Sequence, residues 1–245
     1  MNEEKGINIV SYGGGQNSTA MIIEMIKDNQ KIDEVIFSDT KREMPETYEF
    51  LKEFEPYLKK KKVKFTKIKS WKGDIREYYY KEKRIPYKMF RHCTGDFKIK
   101  PINNYIKEKY GIKKPINMFI GIGIDEKRRA KFIGRKQFTY KYPLIEKNID
   151  REKCIEIIKS EGLSVPVKSG CYFCPFQTKK AWRQLWKKHP ELFKDSKDFE
   201  KNCSAYPQGC LTADITLEDL EKQFKEQKVL FNDTKGVTQC PFCHT

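Results

Sequence analysis

A short apolar run, Ile7–Val10, leads directly into Ser11-Tyr12-Gly13-Gly14-Gly15-Gln16-Asn17-Ser18-Thr19 and then into the amphipathic stretch Ala20–Lys27. A strand, a glycine turn and a helix start in that order constrain this fold more than any other feature of the chain. Glycines let the backbone approach an oxyanion closely, and a helix N-terminus offers unpaired N–H groups at the positive end of its dipole. The segment has no Gly-Lys-Ser/Thr, which excludes a Walker P-loop. It also lacks the second glycine pair of a dinucleotide fold. A tight βα turn without a ligand has the same pattern, so the remaining chain has to decide between the two.

The N-terminal half alternates strand and helix patterns. Ile7–Ser11, Glu34–Ser38, Val63–Lys69 and Asn117–Ile122 read as strands, and a helix is expected over about Pro45–Phe54. Such alternation predicts a parallel, doubly wound sheet. Ligands of these sheets bind outside the carboxyl ends of the strands. Three polar clusters stand just past strand ends: the glycine turn, Asp39-Thr40, and Gly121–Arg129. One crevice receiving all three is the expectation. The predicted organisation is a nucleotide-binding α/β domain over 1–145 and a helical, Cys-containing region over 146–245.

The chain has 245 residues and a formal charge of +16. That length can bury a sizeable core. No apolar run approaches membrane-spanning length and no signal-peptide pattern opens the chain, so the expected location is cytoplasmic, without a membrane partner. The charge favours a polyanion such as nucleic acid; a Lys-rich surface of biased composition is equally compatible. Lys59–Lys62 is the tightest basic cluster. The eight cysteines are Cys93, Cys154, Cys171, Cys174, Cys203, Cys210, Cys240 and Cys243. In this setting disulfides are not expected, whereas the two Cys-x-x-Cys spacings suit metal or iron–sulfur ligation. Cys154 lies in a helical pattern and reads as core.

Taken in order, these motifs resemble the PP-loop ATP pyrophosphatase superfamily, in its phosphoadenosine-phosphosulfate (PAPS) reductase-like branch. The branch's Ser-Gly-Gly-x-Asp-Ser loop is matched by Gly13-Gly14-Gly15-Gln16-Asn17-Ser18. Its Asp-Thr-Gly with downstream Pro-Glu-Thr is matched by Asp39-Thr40-Lys41 and Pro45-Glu46-Thr47. Its Cys before Lys-x-x-Pro is matched by Cys93 and Lys98–Pro101, and its Gly-x-Arg-x-x-Glu by Gly121–Glu126, with Arg129 beyond. Tyr142-Pro143-Leu144 and Gly170-Cys171-Tyr172-Phe173-Cys174 follow in register. The resemblance runs from about residue 7 to 190 and implies a five-stranded parallel sheet of the HUP/PP-loop type. Three positions depart from the pattern. Gly13 and Asn17 replace a Ser and an Asp, and Gly123 replaces an Arg. Asn17 keeps hydrogen bonding but brings no charge to Mg²⁺.

The chemistry implied by the resemblance is cleavage of ATP between the α and β phosphates. Backbone N–H groups of the loop would hold pyrophosphate, with Ser11 at its strand end and Ser18 and Thr19 adding hydroxyls. Asp39 is the expected Mg²⁺ ligand, with Thr40 beside it. Lys98, Arg128 or Arg129 would clamp phosphate oxygens, and Gly121 and Glu126 would border the nucleotide. An acceptor carbonyl is adenylated and AMP is then displaced by sulfur or nitrogen. Cluster-binding relatives carry a tandem Cys-Cys and a later Cys-x-x-Cys. Here Cys93, Cys171 and Cys174 match, implying a 4Fe-4S cluster close to the nucleotide, either with one open iron or with Cys203, Cys210 or His92 completing it. Zn²⁺ on the same residues is the competing reading, and spacing does not separate them. The tail Cys240-Pro-Phe-Cys243-His244 lacks the Cys-Gly-x-His of PAPS reductases. A zinc knuckle with Cys203 and Cys210, or a redox pair, remains open.

Aromatics accompany basic residues at Trp71-Lys72, Tyr78–Arg84 and Trp182–Lys188. Such pairing suits unpaired bases. Trp182, Leu185 and Trp186 share one helical face and read as core, leaving Tyr78–Arg84 as the expected acceptor contact. The leading reading is an adenylating enzyme acting on a base or similar carbonyl, served by a sulfur donor or redox protein. A reductase of an adenylyl sulfate and a nucleotide- and nucleic-acid-binding protein without turnover are the alternatives.

Overall fold

Strand β1 (Ile7–Tyr12) turns Ile9 to one side and Val10 and Tyr12 to the other, and all three are buried. A strand buried on both faces belongs in the middle of a sheet covered on both sides. The computed structural model describes residues 6–88, 90–130, 137–203, 210–212 and 214–230. In chain order the elements are β1, α1 (Gln16–Lys27), β2 (Glu34–Asp39), α2 (Pro45–Lys60), β3 (Phe65–Lys69), α3 (Ile75–Lys81), α4 (His92–Thr94), α5 (Lys100–Tyr110), β4 (Ile116–Ile120), β5 (Phe138–Lys141), α6 (Pro143–Glu146), α7 (Arg151–Ser160), α8 (Lys179–Lys188), α9 (Pro190–Asn202) and α10 (Leu217–Leu230). A π-helical turn covers Gly95–Ile99 and a 3-10 segment covers Ile124–Arg129. Packing divides the chain into two units. One comprises Met1–Trp71 with Phe97–Ser169, the other Lys72–Asp96 with Gly170–Thr245.

In the first unit all five strands pair in parallel in the order β3-β2-β1-β4-β5. Val10 lies opposite Val35 on one side and Phe119 on the other. The period-2 alternation sorts the core onto two faces. Val10, Tyr12, Val35, Phe37 and Phe119 pack beneath α1, α2 and α7 through Ile22, Phe54 and Ile158. Ile9, Ile36, Ile116 and Met118 pack beneath α5 through Ile102 and Ile106. The chain therefore leaves β1 towards one face and enters β4 from the other. That crossover makes the carboxyl ends of β1 and β4 the topological switch point of the sheet.

The doubly wound, five-stranded parallel sheet is the architecture the sequence predicts. The first unit runs past the expected boundary at residue 145 because α7 covers α1. Cys154 and Ile158 of α7 are fully buried in that core. Burial pushes the Cys154 thiol up to about 12, as fits a structural cysteine. Glu34, at the start of β2, is a fully buried carboxylate. It accepts from the hydroxyls of Thr66, Tyr105 and Tyr110 and from Lys109, whose Nζ lies 2.6 Å away. These donors draw its pKa down to about 2 against the opposing effect of burial.

The second unit is helical. Asp74 caps α3 by accepting from the N–H groups of Arg76 and Glu77. Asp195 of α9 then accepts from Arg76 Nε at 2.6 Å and from the Tyr172 hydroxyl at 2.5 Å. Trp182, Leu185, Phe193 and Phe199 form its core, as the helical spacing of the tryptophan segment predicts.

Candidate functional site

At the switch point of the first unit lies a cleft of about 280 Å³. Ser11, Tyr12 and Gly13 enter it from β1; Ile120 and Gly121 enter it from β4. Its floor is the first turn of α1. Gly15 is the N-cap, with no side-chain cap and no acidic residue in the first turn, so no side chain of the helix itself neutralises its positive end. Gly14 adopts a left-handed φ of 76°, and a Cβ there would meet Thr47 Cγ2 at 2.8 Å. Gly121 is tighter still. A Cβ would stand 2.5 Å from Ser18 Cα and 2.6 Å from Ser18 N. The end of β4 thus lies backbone to backbone on the start of α1, which only glycine permits.

Four cations line the cleft, Lys98, Arg129, Arg151 and Lys168, against two carboxylates, Asp125 and Glu126. Lys98 Nζ lies 2.7 Å from Glu43 Oε1, a carboxylate buried behind it. Glu126 bridges the wall: its Oε1 is 2.6 Å from Arg129 Nη1, and its Oε2 accepts from Asn17 Nδ2 at 3.2 Å. The Asn17 amide supplies a donor where the family pattern has a carboxylate. An aspartate in its place would set two carboxylates against each other, whereas the amide donates. Gln16 Oε1 accepts from Arg151 Nε at 2.9 Å. Because guanidinium offers only donors, this bond fixes the amide orientation. Burial raises the pKa of Tyr12, whose hydroxyl pairs with Thr19 Oγ1 at 3.1 Å.

The structure brings together Ser11, Gly13, Gly15, Gln16, Asn17, Ser18, Lys98, Gly121, Glu126 and Arg129 from the sequence-derived set. Four of the expected residues are placed otherwise, and Gly14 is not among the lining residues. Asp39 does not line the cleft. Its Oδ1 accepts from the Tyr48 hydroxyl at 2.8 Å and from the Lys41 N–H at 2.7 Å, because α2 carries Tyr48 back over the end of β2. Thr40 is fully buried and its hydroxyl donates to Glu43, so of this strand end only Ser38 faces the cleft. The Thr19 hydroxyl is turned inward to Tyr12 and to the Gly15 carbonyl, leaving Ser18 as the loop hydroxyl at the cleft. Arg128 is not among the lining residues. Arg151, Lys168, Ser169 and Asp125 complete the site. Arg151 and Lys168 lie far from the glycine turn in sequence, with no local pattern to mark them.

Cys93, Cys171 and Cys174 all belong to the second unit. The Cys174 N–H donates to the Cys171 carbonyl at 3.0 Å, closing a tight turn. Among the described residues no three His, Cys, Asp or Glu side chains are grouped to hold a metal ion. Cys203 is sealed in the core with its thiol towards the Tyr79 carbonyl. Cys240, Cys243 and His244 lie outside the described residues. No helix among the described residues is long and apolar enough to cross a membrane.

An uncharacterized protein of Methanocaldococcus jannaschii, MJ0973, is 27% identical over 254 aligned residues, covering 96% of this chain and 57% of its own length. A second from that organism, MJ0066, is 23% identical over 214, covering 76% and 41%. The chain spans about half the length of the curated relatives it matches. Among solved structures, phosphoadenylyl-sulfate reductase from Candida auris in its phosphate complex superposes with a TM-score of 0.48 at 15% identity, over 67% of this chain and 76% of that one. The U34-tRNA thiolase NcsA from Methanococcus maripaludis, with its 4Fe-4S cluster, gives 0.48 at 12% identity, over 99% and 79%. Residues 7–163, which carry the sheet and every motif of the cleft except Lys168 and Ser169, match the phosphoadenosine phosphosulfate reductase domain. With well over half of its length matched, the chain belongs to the phosphoadenosine phosphosulfate reductase domain family.

Proposed function

We propose that this protein is an ATP-dependent adenylating enzyme whose β1/β4 cleft holds the phosphate chain. The observation that carries the reading is the closure of Gly121 onto Asn17 and Ser18, which leaves an uncapped helix N-terminus facing four cations. Such a site favours a polyanion that can approach backbone N–H groups directly. In the proposed reaction an acceptor carbonyl oxygen attacks the α-phosphorus. The bond from that phosphorus to the α–β bridging oxygen breaks, and pyrophosphate leaves with the electron pair. A sulfur or nitrogen nucleophile then displaces AMP from the acceptor. Lys98, Arg129, Arg151 and Lys168 stabilise the charge that builds on the leaving pyrophosphate, and Ser18 with the first-turn N–H groups orients it.

Mg²⁺ commonly binds through one or two carboxylates plus substrate phosphates. Asp125 and Glu126, which line the cleft, would hold the ion there in preference to Asp39. Bound there, the ion would add charge neutralisation. The cysteine segments retain the spacing of a metal site.

Calorimetry with ATP and with an analogue blocked between the α and β phosphates tests the binding half. Absence of binding by the wild type, or unchanged binding after Lys98→Ala with Arg151→Ala, refutes it. Turnover should give AMP and pyrophosphate; ADP and phosphate would contradict the reading. Release of sulfite from an adenylyl sulfate would favour the family's reductase chemistry.

A further inference from the structure

In the segment expected to contact an acceptor, Tyr78–Arg84, the outward ring is Tyr80, 41% exposed, with the Arg76 guanidinium 5.2 Å from its centre. Tyr79 is buried and Tyr78 lies under Lys72, whose Nζ is 4.4 Å from the ring centroid. A second set of rings in the second unit faces outward. Phe90 is 62% exposed and Phe176 is 37% exposed. Phe90 stacks on His92 at 5.5 Å between centroids and 26° between planes, and Tyr87 lies 5.6 Å from Phe90. Arg91, between the stacked rings, is in the left-handed region and places its guanidinium 4.5 Å from the centre of Phe176. The rings and guanidinium form one platform from two chain segments, one leading into Cys93 and the other leaving Cys174.

The two stretches of sequence that carry these rings are one-sided in charge. Asp and Glu account for 34 of the 245 residues, yet none falls in 83–95 or 170–190, which together carry nine Lys and Arg. A neutral apolar partner would not call for that segregation, and a partner with only phosphate or carboxylate would not need exposed flat rings. Successive bases stacking on aromatic and guanidinium planes, with phosphates on surrounding cations, need both. Folded RNA presents unpaired bases in loops as a standing feature, whereas duplex bases are stacked away from such a surface.

We infer that the Tyr87–Phe90–Arg91–His92–Phe176 platform binds an unpaired stretch of RNA. Binding itself stands on these observations. The further role of that RNA as the acceptor to be adenylated rests on the nucleotide-activating function proposed above. The platform lies in the segments of the candidate metal-site cysteines, so the base would be held beside Cys93 and Cys174 in the chain.

Fluorescence anisotropy with a labelled, unstructured single-stranded RNA of about a dozen nucleotides tests the inference, without added nucleotide. Binding is expected, with the matching RNA duplex at least about tenfold weaker. Phe90→Ala removes no charge and, at an exposed position, leaves the circular dichroism spectrum intact. It should weaken binding by about tenfold, the scale of one base–aromatic stack. Lys59→Ala with Lys60→Ala, which removes two exposed charges from the first unit, should cost far less. Equal affinity for duplex and single strand, or a Phe90→Ala variant that binds like the wild type, would reduce the surface to plain electrostatics and overturn the inference. No binding overturns it outright, and a clear preference for single-stranded DNA overturns the assignment to RNA. ATP calorimetry on the same preparation is read separately, so loss of one activity does not stand for loss of the other.

Discussion

Replacing Gly121 by alanine adds one carbon at the narrowest point of the cleft. That carbon would stand 2.5 Å from Ser18 Cα, 2.6 Å from Ser18 N and 2.9 Å from the Asn17 carbonyl carbon. Nonbonded carbons settle at about 3.5–4.0 Å, so the two backbones must separate by roughly 1 Å. No flexible side-chain end can yield, because all three neighbours are backbone of the α1 first turn. β4 is held by its register with β1, where Ser11 pairs with Ile120. α1 is held by Ile22 and Met25 in the core. Overpacking of this kind costs about 1–3 kcal/mol. A displacement of about 1 Å at a phosphate cradle also reduces activity by up to about a hundredfold. Denaturant unfolding and ATP calorimetry on Gly121→Ala measure the two effects. Gly95→Ala is the control: it sits at helical φ and ψ with nothing within 4 Å of the added carbon. It should gain about 0.5–1 kcal/mol from helix propensity. If Gly121→Ala keeps both wild-type stability and wild-type ATP affinity, the close approach of β4 to α1 is not what shapes the site.

Three further outcomes follow from particular residues. Lys41 has a left-handed φ of 67° where the family pattern has glycine; Lys41→Gly should raise stability by about 0.5–1 kcal/mol, read as a higher denaturation midpoint, after allowing for the looser unfolded chain. Glu34→Gln, by leaving the facing Lys109 without its buried counter-charge, should cost about 3 kcal/mol at neutral pH. Because the folded pKa of Glu34 is depressed from 4.5 to about 2, its contribution is complete above pH 4.5 and is lost as the pH falls towards 2; the wild type should therefore approach the variant in acid titrations of stability. For the cysteine segments, anaerobic reconstitution with iron and sulfide followed by metal analysis should give iron on the wild type and none on Cys171→Ser, while Cys154→Ser retains it because that thiol is sealed in the core. One zinc per chain and no colour would assign the segments to structural zinc instead.

Much of this protein was legible in the order of its residues. Strand and helix periods encode which face each side chain presents, and that is enough to specify a two-faced parallel sheet. The glycine turn and Gly121 were legible for a related reason: each stands immediately after a strand, where connectivity alone places it at the carboxyl edge, whereas Glu126 was legible from the ordered motifs. Lys98 and Arg129 followed from the ordered motifs. Tertiary structure decided what local order does not encode. Asp39 also stands at a strand's carboxyl end, but Tyr48, brought back by the first turns of α2, takes its carboxylate for the protein's own network. Thr19 lies beside Ser18 in sequence, yet one helical step turns it inward to Tyr12. Arg151 reaches Gln16 across 135 positions only because α7 packs on α1. Periodicity determines faces and strand ends, whereas the partner each polar group finds depends on the packing of elements distant in sequence. In this chain that packing set which charges face the cleft.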